Sequence, residues 1–98
     1  MSITVIAPAR PRRAKRVTEN REFAAFARRI IRAFGRRIAA GDVEALPDLV
    51  QLQRDIDAIM GDAVKGLKDQ GYSWAEIATR TGTTRQAAQQ RWARYVNA

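Results

Sequence analysis

The chain has 98 residues with no Cys and no His, and its 18 Lys and Arg against 10 Asp and Glu leave a net charge of +8 at pH 7. Without Cys there is no disulfide, thiolate nucleophile or Cys-based zinc site, and without His the commonest acid–base and metal-binding residue is missing. The cationic excess is almost entirely Arg, which grips phosphate bidentately and releases counterions as it does so. Composition therefore points to a nucleic-acid partner and away from an enzyme: no catalytic residue, metal or cofactor is expected. The length allows one domain with a modest core. The longest apolar runs are far too short to cross a membrane, and the N-terminal apolar residues precede the charges, the reverse of a secretory signal. The expected location is the cytoplasm, in association with the nucleoid.

Residues 2–17 contain Pro8 and Pro11, then Arg10, Arg12, Arg13, Lys15 and Arg16, with no acid. Such a segment is expected to be an extended, flexible basic arm over residues 1–17, able to lie along phosphates or enter a minor groove. A solubilising tail would have the same composition. SITVI, residues 2–6, has the residue types of a short strand.

Thr18 is placed to cap a helix over about Glu19 to Ala40, with Glu19 and Glu22 at its positive end and Arg36 and Arg37 at its negative end. Phe23, Ala27, Ile30, Phe34 and Ile38 recur at spacings of three and four, widened by Phe26 and Ile31 into a broad apolar stripe. Arg28, Arg29, Arg32, Arg36 and Arg37 cover the other side, either as a solvated face or as further phosphate contacts. Gly41 stops the helix.

Asp42 is expected to cap a turn, DVEAL, and Pro47 to open a second helix that runs to about Gln70. Leu49, Leu52, Ile56, Ile59, Ala63 and Leu67 form a near-heptad, with Val50, Met60 and Val64 beside it. Residues 42–71 net −4, so this helix is expected to face away from DNA. Gly35, Gly61 and Gly66 interrupt the two long helices at about 1 kcal/mol each relative to Ala, through either close backbone crossing or a kink.

The last quarter, SWAEIATRTGTTRQAAQQRW from Ser73 to Trp92, has the form of two short helices joined by a tight turn. Ser73 and Glu76 make a capping box, Trp74, Ile77 and Ala78 an inner face, and Gly82 the left-handed residue of the turn. Thr84 caps the second helix, with Thr83 and Gln86 as a rival box. Ala88, Trp92 and Tyr95 face inward. The outer face carries Gln86, Gln90 and Asn97, flanked by Gln89, with Arg85 at the N-terminal end and no acid from Thr83 onward. Arg can make a bidentate pair with guanine, and Gln or Asn with adenine.

This stretch resembles the helix-turn-helix in the last DNA-binding region of bacterial sigma factors and in small actinobacterial and phage regulators. The matching positions are the small Ala78 within the first helix, Gly82 in the turn and Ala88 in the second helix. The resemblance implies base contacts from Arg85, Gln86, Gln89 and Gln90, with Thr84 nearer the phosphates. Where the family commonly has an apolar residue this chain has Arg91, so Trp92 is expected to take over the packing. Ser73, Arg80, Arg91 and Arg94 complete the expected phosphate-contact set.

Together these features predict an all-α protein: the arm, then one helical domain over 18–98, made of a two-helix scaffold over 18–71 and a helix-turn-helix over 72–98. The expected function is sequence-specific binding of double-stranded DNA as a transcriptional regulator. Because the long helices carry more apolar surface than so small a reading unit needs, the expected state is a homodimer with no membrane partner. Two alternatives share the same features. One is a sigma-like protein-interaction adaptor working on RNA polymerase or another regulator, and the other is an architectural protein that coats DNA without choosing sequence.

Overall fold

The structure is a computed structural model that describes the backbone of residues 13–97 and the side chains from Glu19 onward. Among the described residues there is no strand, and the elements are α1 (Arg13–Ala39), a 3₁₀ turn (Val43–Ala45), α2 (Leu46–Asp69), α3 (Trp74–Thr81) and α4 (Arg85–Val96). The all-α class is as the sequence predicts, and among the described residues no helix is long and apolar enough to cross a membrane.

Helix α1 begins at Arg13, not at Thr18, so the expected arm of residues 1–17 is shortened from its C-terminal side and Thr18 lies inside the helix. The residues from Arg13 to Arg16 are Arg, Ala and Lys, among the strongest helix formers, and their propensity extends the helix past the polar residue that had seemed its start. Arg13, Lys15 and Arg16 thus belong to α1, whereas Arg10, Arg12 and the SITVI segment lie outside the described residues. At the other end the Asp42 side chain makes no capping hydrogen bond. Its backbone carbonyl accepts instead from the Ala45 amide at 3.2 Å, and the turn runs directly into α2, with Pro47 in the first turn where its missing N–H costs nothing.

Helix α2 ends in a complete Schellman motif. The Gly71 amide donates to the Lys68 carbonyl at 3.0 Å and the Tyr72 amide to the Leu67 carbonyl at 3.1 Å, which requires the left-handed φ of 95° at Gly71.

The chain divides into two compact units, Met1–Val50 and Gln51–Ala98. In the first, α1 presents its Arg side chains and much of its apolar stripe to solvent. In the second, α3 and α4 pack on one another and on Val64 of α2. The core is Val64, Ile77, Ala78, Ala88 and Trp92, each at most 3% exposed, with Met60, Tyr72, Trp74, Tyr95 and Val96 around it.

The helix-interior glycines separate into two kinds. Gly61 is buried, and a methyl group added there would overlap the Tyr95 ring. Gly35 and Gly66 have nothing within 4 Å of the space a Cβ would fill. Close crossing therefore accounts for Gly61, and nothing in the structure accounts for the other two. Gly66→Ala is expected to stabilise the fold by up to about 1 kcal/mol through helix propensity. Gly61→Ala is expected to destabilise it by about 1–3 kcal/mol because overpacking outweighs the same propensity gain. Urea unfolding of the two variants beside the parent checks both signs.

Candidate nucleic-acid interface

The geometry of the C-terminal residues follows from two local caps. The Ser73 hydroxyl accepts from the Glu76 amide and the Glu76 carboxylate accepts from the Ser73 amide, both at 3.0 Å, completing the box that starts α3. Helix α3 ends at Gly82, whose φ of 72° lets its own amide and that of Thr83 both donate to the Ala78 carbonyl. Three residues, Gly82 to Thr84, separate the helices. Of the two threonines, Thr84 is the cap: its hydroxyl accepts from the Ala87 amide at 3.1 Å, and α4 starts at the next residue.

Helix α4 is held by its inner face. Ala88 is fully buried and Trp92 is 2% exposed, so the anchor falls on Ala88 and Trp92 while Arg91 stays outside. A small residue at 88 lets α3 approach closely, and the indole fills the space beside it. With that face fixed, the helical period points Arg85, Gln86, Gln89 and Gln90 into solvent. None of the four makes a hydrogen bond or ion pair to another described residue. Among the described residues their donors and acceptors are thus unengaged, and from Ile77 to Ala98 the chain contains no acid that would oppose a phosphate.

The residues expected to hold phosphates are arranged less uniformly. Thr84 stands exposed at the start of α4 beside Arg85, and Arg94 lies one turn beyond Gln90. Arg94 is turned toward Tyr95, with Nη2 donating to the phenol oxygen at 3.3 Å and its guanidinium 5.0 Å from the ring centre. Arg80 is folded along its own helix, Nη1 donating to the Glu76 carbonyl at 2.9 Å. Arg91 lies on the flank of α4 away from Arg85 and Gln89. It stacks on the Trp92 ring at 5.0 Å and sits 3.9 Å from the Asp57 carboxylate of α2. Ser73 has a carboxylate as its closest partner, an unfavourable neighbour for a phosphate. The structure thus sets Arg85, Gln86, Gln89 and Gln90 along one exposed side of α4 with Thr84 at its start, places Arg94 on the far side of the helix from Arg85, and engages Ser73, Arg80 and Arg91 with other partners.

Reasoning from the sequence missed Asp57 and Tyr95 as partners of this unit. The one draws Arg91 toward α2, and the other lies against Gly61 on α2. An acid on an acidic helix and an aromatic at a helical period carry no signal of which distant residue they meet. Among the described residues no cluster of carboxylates suits a metal ion.

Removing the cap hydroxyl with Thr84→Ala is expected to destabilise the C-terminal unit by about 1 kcal/mol, whereas Thr83→Ala should stay within about 0.5 kcal/mol of the parent. Trp92→Ala, which empties the centre of the same core, should cost about 3–5 kcal/mol. Denaturation followed by circular dichroism ranks the three.

No family model, curated protein or solved structure matches the chain.

Proposed function

We propose that the protein binds double-stranded DNA with sequence preference and acts as a transcriptional regulator. In this reading α3 and α4 form a helix-turn-helix similar to that of the last DNA-binding region of bacterial sigma factors and of small actinobacterial and phage regulators, with α4 in the major groove. One observation carries the reading: Arg85, Gln86, Gln89 and Gln90 project from a helix anchored by buried Ala88 and Trp92, and none of their polar groups is engaged by another described residue. Helices exposed only to water commonly mix acids with bases for solubility, and this one has no acid. Guanidinium and amide groups one turn apart match the donor and acceptor pattern of guanine and adenine edges.

Thr84 and Arg94 are the first candidates for phosphate contact. Arg80, Arg91 and Ser73 would need to leave their present partners first, or, for Ser73, to approach the phosphate beside Glu76. Arg10 and Arg12, with Arg13, Lys15 and Arg16 at the start of α1, add charge that favours DNA of any sequence. The protein acts as a homodimer associated with the nucleoid, because one such unit has few phosphate contacts and duplication multiplies them. A protein-interaction adaptor is the second reading, favoured by the apolar side chains of α1 that stay in solvent, Phe23, Phe26 and Ile30. An architectural coat is the third, favoured by the exposed Arg28, Arg29, Arg32, Arg36 and Arg37.

Selection from a random duplex library at about 0.15 M salt, where the Debye length is about 8 Å, separates the three. An enriched motif is the expected result. Binding without enrichment that vanishes as salt rises would favour the architectural reading, and no binding the adaptor. On the enriched site Arg85→Ala is expected to lose about 1–3 kcal/mol of discrimination at one base pair. Equal loss on selected and random DNA would remove Arg85 from base reading.

A further inference from the structure

The donors and acceptors on the exposed side of α4 are almost all side-chain amides. On a helix of about 3.6 residues per turn, Gln86, Gln90, Ala93 and Asn97 fall within about 60° of one another, on the side turned away from buried Ala88 and Trp92. Arg85 and Gln89 flank this row. Asn97 is exposed at the C-cap, and its side-chain amide, like those of Gln86, Gln89 and Gln90, makes no bond to another described residue. Of the other guanidiniums of α4, Arg91 is stacked on Trp92 and Arg94 on Tyr95, which leaves Arg85 beside the amides.

Given the DNA binding proposed above, on which this rests, we infer that the DNA taken by this face is a run of adenine–thymine pairs next to a guanine, read from the major groove, and that a methyl group on adenine N6 excludes the protein from it.

The chemistry of the amide selects adenine. A neutral amide offers one acceptor and one donor side by side, and adenine is the single base that shows the complement in the major groove, an N6 donor beside the N7 acceptor. Guanine turns two acceptors to the groove, so the amide pairs by its N–H alone and its oxygen is left without a donor. Cytosine offers a donor that carboxylates commonly accept, and α4 carries no carboxylate. Ala93 stands in the row between Gln90 and Asn97, where its methyl group suits the C5-methyl of a thymine paired with adenine. Successive members of the row are three or four residues apart, about 4.5–6 Å along the axis, so at a rise of about 3.4 Å they address separate base pairs. Arg85, at the N-terminal end, puts the guanine at one end of the run.

The same hydrogen bonds make the methyl group decisive. Base pairing uses one N6 hydrogen and turns the other toward the major groove, where the amide oxygen accepts it. In paired N6-methyladenine the methyl group takes the place of that second hydrogen, so the donor is lost and the amide oxygen meets a carbon at hydrogen-bond distance. The Arg85 pair with guanine is untouched by this change.

The test uses the full chain and the duplex selected from the random library at about 0.15 M salt, prepared unmodified and with N6-methyladenine at each adenine in turn. The selected motif is expected to hold at least two adenine–thymine pairs beside a guanine, and methylation of an adenine read by an amide should weaken binding about tenfold in fluorescence anisotropy. In Gln90→Ala and in Asn97→Ala, both at exposed positions, one adenine should lose its sensitivity to methylation while the others keep theirs. A motif with no adenine–thymine pair beside the guanine would overturn the adenine assignment and leave sequence-specific DNA binding standing. So would an adenine-containing motif whose methylated forms all bind as well as the unmodified duplex, the result expected if those pairs are read by shape from the minor groove. Full sensitivity at every adenine in both variants would likewise overturn the assignment to this row. Absence of any motif would overturn it together with the DNA reading itself.

Discussion

The contact of Ala88 and Trp92 with Ile77, Ala78 and Val64 governs the C-terminal half of the protein. Ala88 has no solvent exposure, which allows α4 to lie close to α3, and Trp92 one turn later fills the space that the small residue leaves toward α2. These two positions set the roll of α4. Once they face inward, a period of 3.6 residues leaves no freedom in where Arg85, Gln86, Gln89 and Gln90 point. The polar face is thus a consequence of apolar packing, and a side chain larger than Ala at 88 would turn the face as well as strain the core.

Helix α2 carries two separate duties on one cylinder. Gly61 and Val64 pack against the C-terminal helices, Gly61 so tightly against the Tyr95 ring that no β-carbon fits. Leu52, Ile56 and Ile59 lie on another side, where Leu52 is partly covered and Ile56 and Ile59 stay exposed. A helix serving one small core needs one stripe, and burial of a second is the ordinary reason for a second to exist. The acids are divided in the same way: Asp57 approaches Arg91, whereas Asp48, Asp55, Asp62 and Asp69 edge the open stripe.

What could be read from sequence alone was local. The Ser73–Glu76 box, the left-handed Gly82 and the helix limits around them depend on hydrogen bonds spanning at most five residues, and each is found where the residue types put it. Locality also explains the ambiguity at Thr83 and Thr84, since adjacent hydroxyls compete for nearly the same amide and only the backbone path selects Thr84. At the start of α1 the capping tendency of Thr18 competes with the helix propensity of the basic residues before it, and propensity prevails, so the helix starts at Arg13. At Asp42 the backbone carbonyl makes the bond that the residue type suggests for the side chain. Residues far apart in sequence were silent: nothing about Gly61 names Tyr95, and nothing about Arg91 names Asp57. The outward set on α4 was legible because it is the complement of an inward set with clear periodicity. The scattered phosphate candidates were not, because long Arg side chains take whichever neighbour is nearest.

Both tryptophans and both tyrosines lie in the Gln51–Ala98 unit, with Trp92 buried and Trp74 beneath the Lys68 ammonium at 5.0 Å from the ring centre. Helix α1 has only phenylalanines. Indole emission therefore reports on the C-terminal unit alone: it follows the packing behind α4, and α1 contributes no indole to it. Melting curves from fluorescence and from far-ultraviolet dichroism consequently monitor different parts of one chain, and any gap between them measures how independently α1 loses its helix.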